Sequence, residues 1–435
     1  MKKVLIITYY WPPCGGIGVL RCLKFAKYLR QFGWEPIIFT AEDAHYPSLD
    51  LSNEKDIPEG ITILKQKIWE PYHIYKFITG QKKEANVNNV FYASEKKLGL
   101  MHKISVWIRS NFFIPDARAL WIKPSVTYLS EYLKQNKVDA LLSNGPPHSN
   151  TRIANLLKKK TGIPWLADFQ DPWSQVDYFE MLRLTPWGKK KHLAMEQEVF
   201  KYADAITIVS PTWKKDLESI GAKNVSVLPW GYDQDDFEIL KNIPDEKFTI
   251  THIGILGSDR NPRVLLRAIK IVAAALPDFL SDLQLQLVGL VDTEIKNDVK
   301  AAGLQGNVVF TGTVNRTEAL QMANNSQVLL LVLNQQDNAE GRVPGKFFEY
   351  LGARKPILCL GPKQSDVSAM LTQTKSGHNC AFDDVNQCVN VLTSLYQSYK
   401  NNQPFKPSLQ AIETYSSKNI TGELTKILNE ISQER

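Results

Sequence analysis

At 435 residues the chain is too long for one hydrophobic core, and two α/β domains of about 200 residues each are expected. Apolar residues make up 43% and charged residues 22%, and the formal charge of +7 is a small excess for this length; that balance excludes a nucleic-acid-binding composition and favours phosphate-rich ligands or an anionic membrane surface. The five cysteines, Cys14, Cys22, Cys359, Cys380 and Cys388, form no C-x-x-C pair, which argues against a zinc site and for reduced, mostly buried thiols.

Met1-Lys2-Lys3 leads into Val4-Leu5-Ile6-Ile7, an apolar run too short for a signal peptide. No stretch reaches the roughly 18 to 20 apolar residues of a membrane span. A cytoplasmic protein is expected, with at most a peripheral contact at the inner face of an anionic membrane.

Along the chain, β-branched runs alternate with amphipathic segments. Val4–Thr8, Pro36–Phe39, Val138–Leu142, Ile163–Ala167 and Ala205–Val209 read as buried strands, with helical stretches at Val19–Phe32 and Asn150–Lys160. Strands separated by helices imply βαβ crossovers and a mostly parallel, doubly wound sheet. After Leu228-Pro229-Trp230-Gly231-Tyr232-Asp233 the pattern restarts. Phe248–Ile253 reads as a strand, Gly254–Pro262 as a loop and Arg263–Ala275 as a helix. Further strands are expected at Gln284–Val288, Asn307–Phe310, Val328–Leu333 and Pro356–Leu360. The fold class is therefore α/β, with two facing doubly wound, Rossmann-like domains and a cleft between them, where ligands sit outside the carboxyl ends of strands. The boundaries are 1–230 and 231–415, and a closing helix over about 416–435, with Ile420, Leu424, Ile427, Leu428 and Ile431 at helical spacing, is expected to pack back on the first domain.

One long insertion, Trp69 to Asn111, is rich in lysine and aromatic residues. Its Ile104, Trp107 and Ile108, at i, i+3 and i+4, predict a core-facing helix, although the basic flank also suits an anionic membrane. Lys158-Lys159-Lys160 and Lys189-Lys190-Lys191 read as solvated helix faces.

Two glycine-containing loops are candidates for binding. Pro13-Cys14-Gly15-Gly16-Ile17-Gly18 lies between a strand and a helix, where Gly15 and Gly16 permit close approach of an anion to a helix start. Arg21 stands where the third glycine of a G-x-G-x-x-G fingerprint would be, so a dinucleotide site is disfavoured; a tight turn without ligand is the alternative. In the second loop, Arg342-Val343-Pro344-Gly345-Lys346 opens a helix that continues through Glu349 and Tyr350. A diphosphate can rest on the helix start at Gly345, neutralised by Lys346 or Arg342, while Glu349 one turn on accepts from ribose hydroxyls. A surface ion pair between Lys346 and Glu349 is the plainer reading of the same spacing.

Five ordered motifs then resemble one family. Tyr9-Tyr10-Trp11-Pro12-Pro13-Cys14-Gly15-Gly16, Gly145-Pro146-Pro147-His148-Ser149, Ala167-Asp168-Phe169-Gln170-Asp171-Pro172-Trp173, Leu228-Pro229-Trp230-Gly231-Tyr232-Asp233 and the Arg342–Tyr350 run are similar to those of bacterial family 4 glycosyltransferases with the GT-B fold. The resemblance implies a retaining hexosyl- or N-acetylhexosaminyl-type transferase. It would move a sugar from a nucleotide-sugar to a glycan or lipid-linked acceptor, in cell-surface polysaccharide synthesis. The second domain would hold the donor and the first the acceptor, with Glu349 as the ribose-binding glutamate. The family's second glutamate would fall at Gly341, with Glu340 one position off, and Ile255 replaces a usual arginine, leaving Arg260 as the phosphate-binding candidate. Gln170 stands where relatives carry Arg or His.

The candidate catalytic residues follow strand ends. His148 can contact an acceptor hydroxyl, pass a proton or simply cap the next helix. Asp168 and Asp171 can align hydroxyls, or Asp171 can be a turn residue. Asp233-Gln234-Asp235-Asp236 offers a D-x-D pattern but sits at the domain junction, so no metal site is assigned and neither cofactor nor essential metal is expected. A nucleotide-sugar epimerase of the same fold and a non-catalytic nucleotide-sugar-binding protein are the competing readings.

Overall fold

The computed structural model describes residues 1–70, 107–176, 179–241, 243–336 and 339–433. Most of the Trp69–Asn111 insertion, including Ile104, lies outside them. The chain divides into one unit of Met1–Pro229 with Ile420–Arg435 and a second of Trp230–Asn419.

The first unit holds a seven-stranded, wholly parallel sheet of order β3-β2-β1-β4-β5-β6-β7. Its strands are β1 Lys2–Ile7, β2 Trp34–Glu42, β3 Thr62–Lys67, β4 Ala140–Gly145, β5 Trp165–Phe169, β6 Ala205–Ile208 and β7 Val225–Val227. Val4 pairs with Pro36 on one side and Ala140 on the other, so the strand order reverses at β1 and β4. The helices that matter below are α1 Ile17–Leu29, α2 Ala119–Gln135, α3 His148–Thr161 and α4 Pro186–Tyr202. A continuous apolar run such as Val4-Leu5-Ile6-Ile7 is buried on both faces because helices cover both faces of a parallel sheet. Its core also takes in Ile420, Leu424, Leu428 and Ile431 of the last helix.

The second unit repeats the plan with six parallel strands, order β10-β9-β8-β11-β12-β13. These are β8 Phe248–Ile253, β9 Leu283–Val288, β10 Val308–Gly312, β11 Val328–Val332, β12 Ile357–Leu360 and β13 Gly377–Cys380. Helices α5 Arg263–Ala275, α6 Arg316–Asn325 and α7 Gly345–Ala353 flank it, and α8 Ser417–Gln433 closes the chain. Asn315 caps α6 with a full capping box, its side chain taking the N–H of Glu318 while Glu318 reaches back. Here the order reverses at β8 and β11, where Val328 pairs with Ile250. In each unit the reversal marks the crevice where α/β sheets bind ligands.

The core-facing reading of the 107–112 stretch is corrected. Trp107 and Ile108 are exposed, and the buried members of that helical stretch are Ser110 and Asn111. Asn111 anchors it by accepting the N–H of Thr185 at 2.6 Å, so polar bonding rather than apolar burial fixes its orientation. The lysine runs are solvated but not idle: Lys158 pairs with Asp204, Lys159 with Glu198 and Lys189 with Glu180. No described helix is long and apolar enough to cross a membrane.

Candidate functional site

In the first unit the loop after β1 is stitched to residues 48–50. Gly15 donates its N–H to the Ser48 carbonyl at 2.9 Å, and Asp50 donates to the Pro13 carbonyl. A Cβ on Gly15 would lie 2.8 Å from Ser48 Oγ. The phosphate role expected of Gly15 is therefore corrected: its N–H is spent, and the residue is glycine because the second strand of loop leaves no room. Gly16 differs. It is exposed, precedes α1 as N-cap, and adopts φ 84°, the left-handed region where side chains are strained.

Under the ends of β4 and β5 lies a buried polar network. Asp168 accepts from Arg21 Nε and Nη2, both at 2.7 Å, from Thr207 Oγ1 at 2.7 Å and from Asn144 Nδ2 at 3.0 Å. Gln170 Nε2 donates to Asn144 Oδ1 at 2.6 Å. Arg21 also donates to the carbonyls of Leu228 and Pro229. With both oxygens of Asp168 filled, the residue ties α1 to β5 rather than offering a lone pair to a ligand's hydroxyl. Asp168 is thus a positioning residue. Arg21, which breaks the dinucleotide fingerprint, is its partner, and only the fold reveals that. Asp171 follows at the half-buried loop beyond β5.

His148 is the first residue of α3, and the N-cap is Pro147 with no side-chain cap, so the capping reading falls away. Its ring stacks on Trp173 at 4.1 Å with 6° between planes, and Trp173 Nε1 donates to His192 Nδ1 at 3.1 Å. His148 Nδ1 is buried without a hydrogen bond among the described residues. Burial, and then His192, push its pKa down to about 3. A base that weak stays neutral at ordinary pH, so the proton-passing role expected from the sequence gives way to that of a neutral hydrogen-bonding ring. Accordingly, His148→Ala should lower turnover about tenfold, the value of one hydrogen bond, while leaving donor affinity unchanged in a calorimetric titration. No step of the activity profile between pH 5 and 8 should vanish with it; loss of a titrating limb in the variant would restore the proton-passing role.

The second unit brings more of its candidates together. β8 ends at Ile253, whose N–H is donated to the Tyr350 hydroxyl at 2.9 Å. Gly254 follows with φ 107°, and a Cβ there would sit 2.8 Å from Lys346 Nζ. Only glycine allows the α7 lysine to lie against this turn. Lys346 Nζ lies 3.4 Å from His252 Nε2, and His252 Nδ1 lies 3.0 Å from the Leu330 carbonyl. Because a carbonyl only accepts, Nδ1 carries the proton and Nε2 presents its lone pair to the ammonium. Burial first, then the charge of Lys346, hold His252 well below its usual pKa, consistent with that neutral ring. Burial and the neighbouring charge of Arg260 push Lys346 down to about 7, while Glu349 acts the other way. Arg260, half-buried and paired with Asp259 at 3.3 Å, completes the local positive field.

Glu349 lies one turn along α7. Its Oε1 accepts Arg316 Nε at 3.0 Å with Nη2 in ion-pair contact at 2.9 Å, and Arg316 Nη1 donates to Asp236 Oδ2 at 2.9 Å. The plain Lys346–Glu349 ion pair is not formed: the carboxylate is held by Arg316, leaving Oε2 without a hydrogen bond among the described residues. Asp236, next to the D-x-D pair Asp233 and Asp235, is buried as the far arm of the Arg316 bridge. Gly345 is the first residue of α7 after N-cap Pro344. Arg342 is half-buried just ahead of it, and Glu340 lies exposed in the turn Ala339–Gly341. Asp337 and Asn338 lie outside the described residues. His252 and Arg316 escaped the sequence reading; a histidine inside the apolar β8 run, which must find a partner when buried, was the available signal for the first.

Two Rossmann-like α/β units, each with its polar residues gathered where the strand order reverses, define a GT-B fold. Sucrose-phosphate synthase from Thermosynechococcus elongatus shares it at TM-score 0.64 and 12% identity over 100% of both chains. Anabaena HepE in complex with UDP does so at 0.62 and 11%, over 99% of this chain and 100% of its own. S. aureus TarM, in a complex that includes UDP, does so at 0.61 and 12%, over 99% and 100%. A search of curated proteins returns no match. The model of Glycosyltransferase Family 4 matches residues 15–236, half of the chain, and the protein belongs to that family.

Proposed function

We propose that the protein is a retaining glycosyltransferase that takes a hexosyl or N-acetylhexosaminyl group from a nucleotide-sugar to a glycan or lipid-linked acceptor, as in cell-surface polysaccharide synthesis. The second unit holds the donor and the first the acceptor. The observation that carries this reading is the Lys346 site. An ammonium desolvated against Gly254, beside Arg260 and at the start of α7, has no carboxylate ion pair among the described residues, and Glu349 is braced by Arg316 one helical turn away. That arrangement suits a diphosphate followed by a ribose.

In such a transfer the glycosidic bond to the diphosphate breaks as the acceptor oxygen bonds to the anomeric carbon. The acceptor proton passes to the departing phosphate oxygen. Lys346 and Arg260 stabilise the charge that grows on the diphosphate, so the interaction strengthens towards the transition state. No protein nucleophile is required by this balance, and Asp168 and Gln170 keep the acceptor loops in place.

UDP, present in the HepE and TarM complexes, is the first nucleotide to titrate. Glu349→Gln should weaken its binding by about 1–3 kcal/mol, as expected for a hydrogen bond to a charged group. Unchanged UDP, GDP and ADP affinities in both Glu349→Gln and Lys346→Ala would move the donor site elsewhere. Activity should also persist in EDTA, since basic side chains neutralise the diphosphate; turnover abolished by chelation and restored by magnesium or manganese would overturn the metal-free mechanism.

A further inference from the structure

The first unit carries an apolar surface that the proposed reaction does not use. In the helical stretch 107–112, Trp107, Ile108 and Phe112 are 40%, 43% and 69% exposed, and the Trp107 and Phe112 rings meet edge to face at 6.1 Å. Asn111 fixes the stretch to the start of α4. Its Nδ2 donates to the Trp107 carbonyl at 2.9 Å, and its Oδ1 takes the N–H of Thr185, the α4 N-cap. A Cβ on Gly188 would sit 2.9 Å from that Oδ1, so the two segments pack directly against each other.

On α4 the buried residues Gly188, His192, Glu196 and Val199 recur at helical spacing, which turns Trp187, Lys190 and Lys191 outward. Trp187 is 60% exposed, and Lys191 Nζ lies 4.8 Å from the centre of its ring. Of the neighbouring charges among the described residues, Glu180 is paired with Lys189 at 2.8 Å, while Lys190, Lys191 and the exposed Arg183 add positive charge.

We propose that this face docks on an anionic lipid bilayer, with Trp107, Phe112 and Trp187 at the headgroup boundary and Lys190 and Lys191 on lipid phosphates. Two features favour a bilayer over a protein partner. The Lys191 ammonium lies against the exposed Trp187 ring, whereas protein interfaces deplete lysine at their apolar centres. Amphipathic aromatic rings with adjacent long basic side chains are the composition that lies in a membrane interface. A transferase held this way would meet lipid-linked acceptors in two dimensions, but the docking itself does not depend on the sugar-transfer reading.

The test is flotation of the full chain with vesicles of phosphatidylcholine alone and with phosphatidylglycerol added. Binding is expected only to the anionic vesicles and should fall steeply as salt is raised, because the lysine contribution is screened within about 10 Å at 0.1 M. Phe112→Ser with Trp187→Ser should weaken partitioning about tenfold at unchanged charge, and Lys190→Glu with Lys191→Glu should abolish it. All variants should keep wild-type UDP affinity and melting temperature, which separates this claim from the donor site. Failure of the wild type to float at low salt, equal flotation of the variants, or a wild-type dimer broken by the same substitutions would each overturn the proposal.

Discussion

Arg21→Ala should cost the first unit about 3–5 kcal/mol, the range for a buried ion pair broken from one side, and lower its unfolding midpoint by roughly 6–20 °C. The pair is almost completely enclosed, with side-chain exposures of 2% for Arg21 and 0% for Asp168. Among the described residues, removing the guanidinium leaves the carboxylate with Asn144 and Thr207 as donors, and it strips partners from the Leu228 and Pro229 carbonyls. Lysine should not rescue it, because a single ammonium cannot make the two parallel bonds of the guanidinium fork and still reach two carbonyls. Combining Arg21→Met with Asp168→Asn should recover a large part of the loss, since the uncompensated charge is the expensive part. Thermal unfolding followed by circular dichroism decides this. A midpoint within a degree of wild type in Arg21→Ala would mean the network contributes nothing to stability and that Asp168 is free for another role.

Central strands were legible in the sequence, and of the four edge strands only β10 was. Ten strands were expected, and runs such as Val328–Val332 and Ile357–Leu360 are continuous because a parallel sheet is buried on both faces, whereas Leu283–Val288 alternates leucine with glutamine. The three that leave no such mark all lie at or next to sheet edges. Thr62–Lys67 is half-exposed, Val225–Val227 has three residues, and Gly377–Cys380 contains glycine, histidine and asparagine. Site residues divide in the same way. Lys346 and Glu349 are visible because a proline and a glycine announce the helix start before them. Arg316 and Arg21 are not, because each acts on a carboxylate 33 and 147 residues away, and no local spacing encodes such a pairing. His148 shows the limit from the other side: its position after β4 was readable, but its neutrality is set by burial and by His192, which sequence distance hides.

Lys346→Ala should weaken nucleoside diphosphate binding by about 1.5–3 kcal/mol, or roughly 10- to 150-fold, as for loss of a charge-assisted hydrogen bond, and should also remove the pH dependence of that binding. In the free protein Lys346 titrates at about 7 because burial and Arg260 disfavour its charge more than Glu349 favours it. Neutral His252 can accept from the ammonium but supplies no counter-charge. A bound diphosphate does supply it, so the pKa must rise in the complex. The sign follows from linkage. Affinity is fully present below the free value near 7, and falls by up to tenfold per pH unit above it until the pKa of the complex is reached. Since a terminal phosphate ionises near about 6, titrations between about pH 7.5 and 9 isolate the lysine. Calorimetry in two buffers of different ionisation enthalpy should show net proton uptake by the wild type and none by Lys346→Ala. The Lys346→Ala curve should lie flat over the same range. Affinity that rises with pH in the wild type, or proton uptake that survives the substitution, would place the titrating group elsewhere and take from the donor site its strongest physical support.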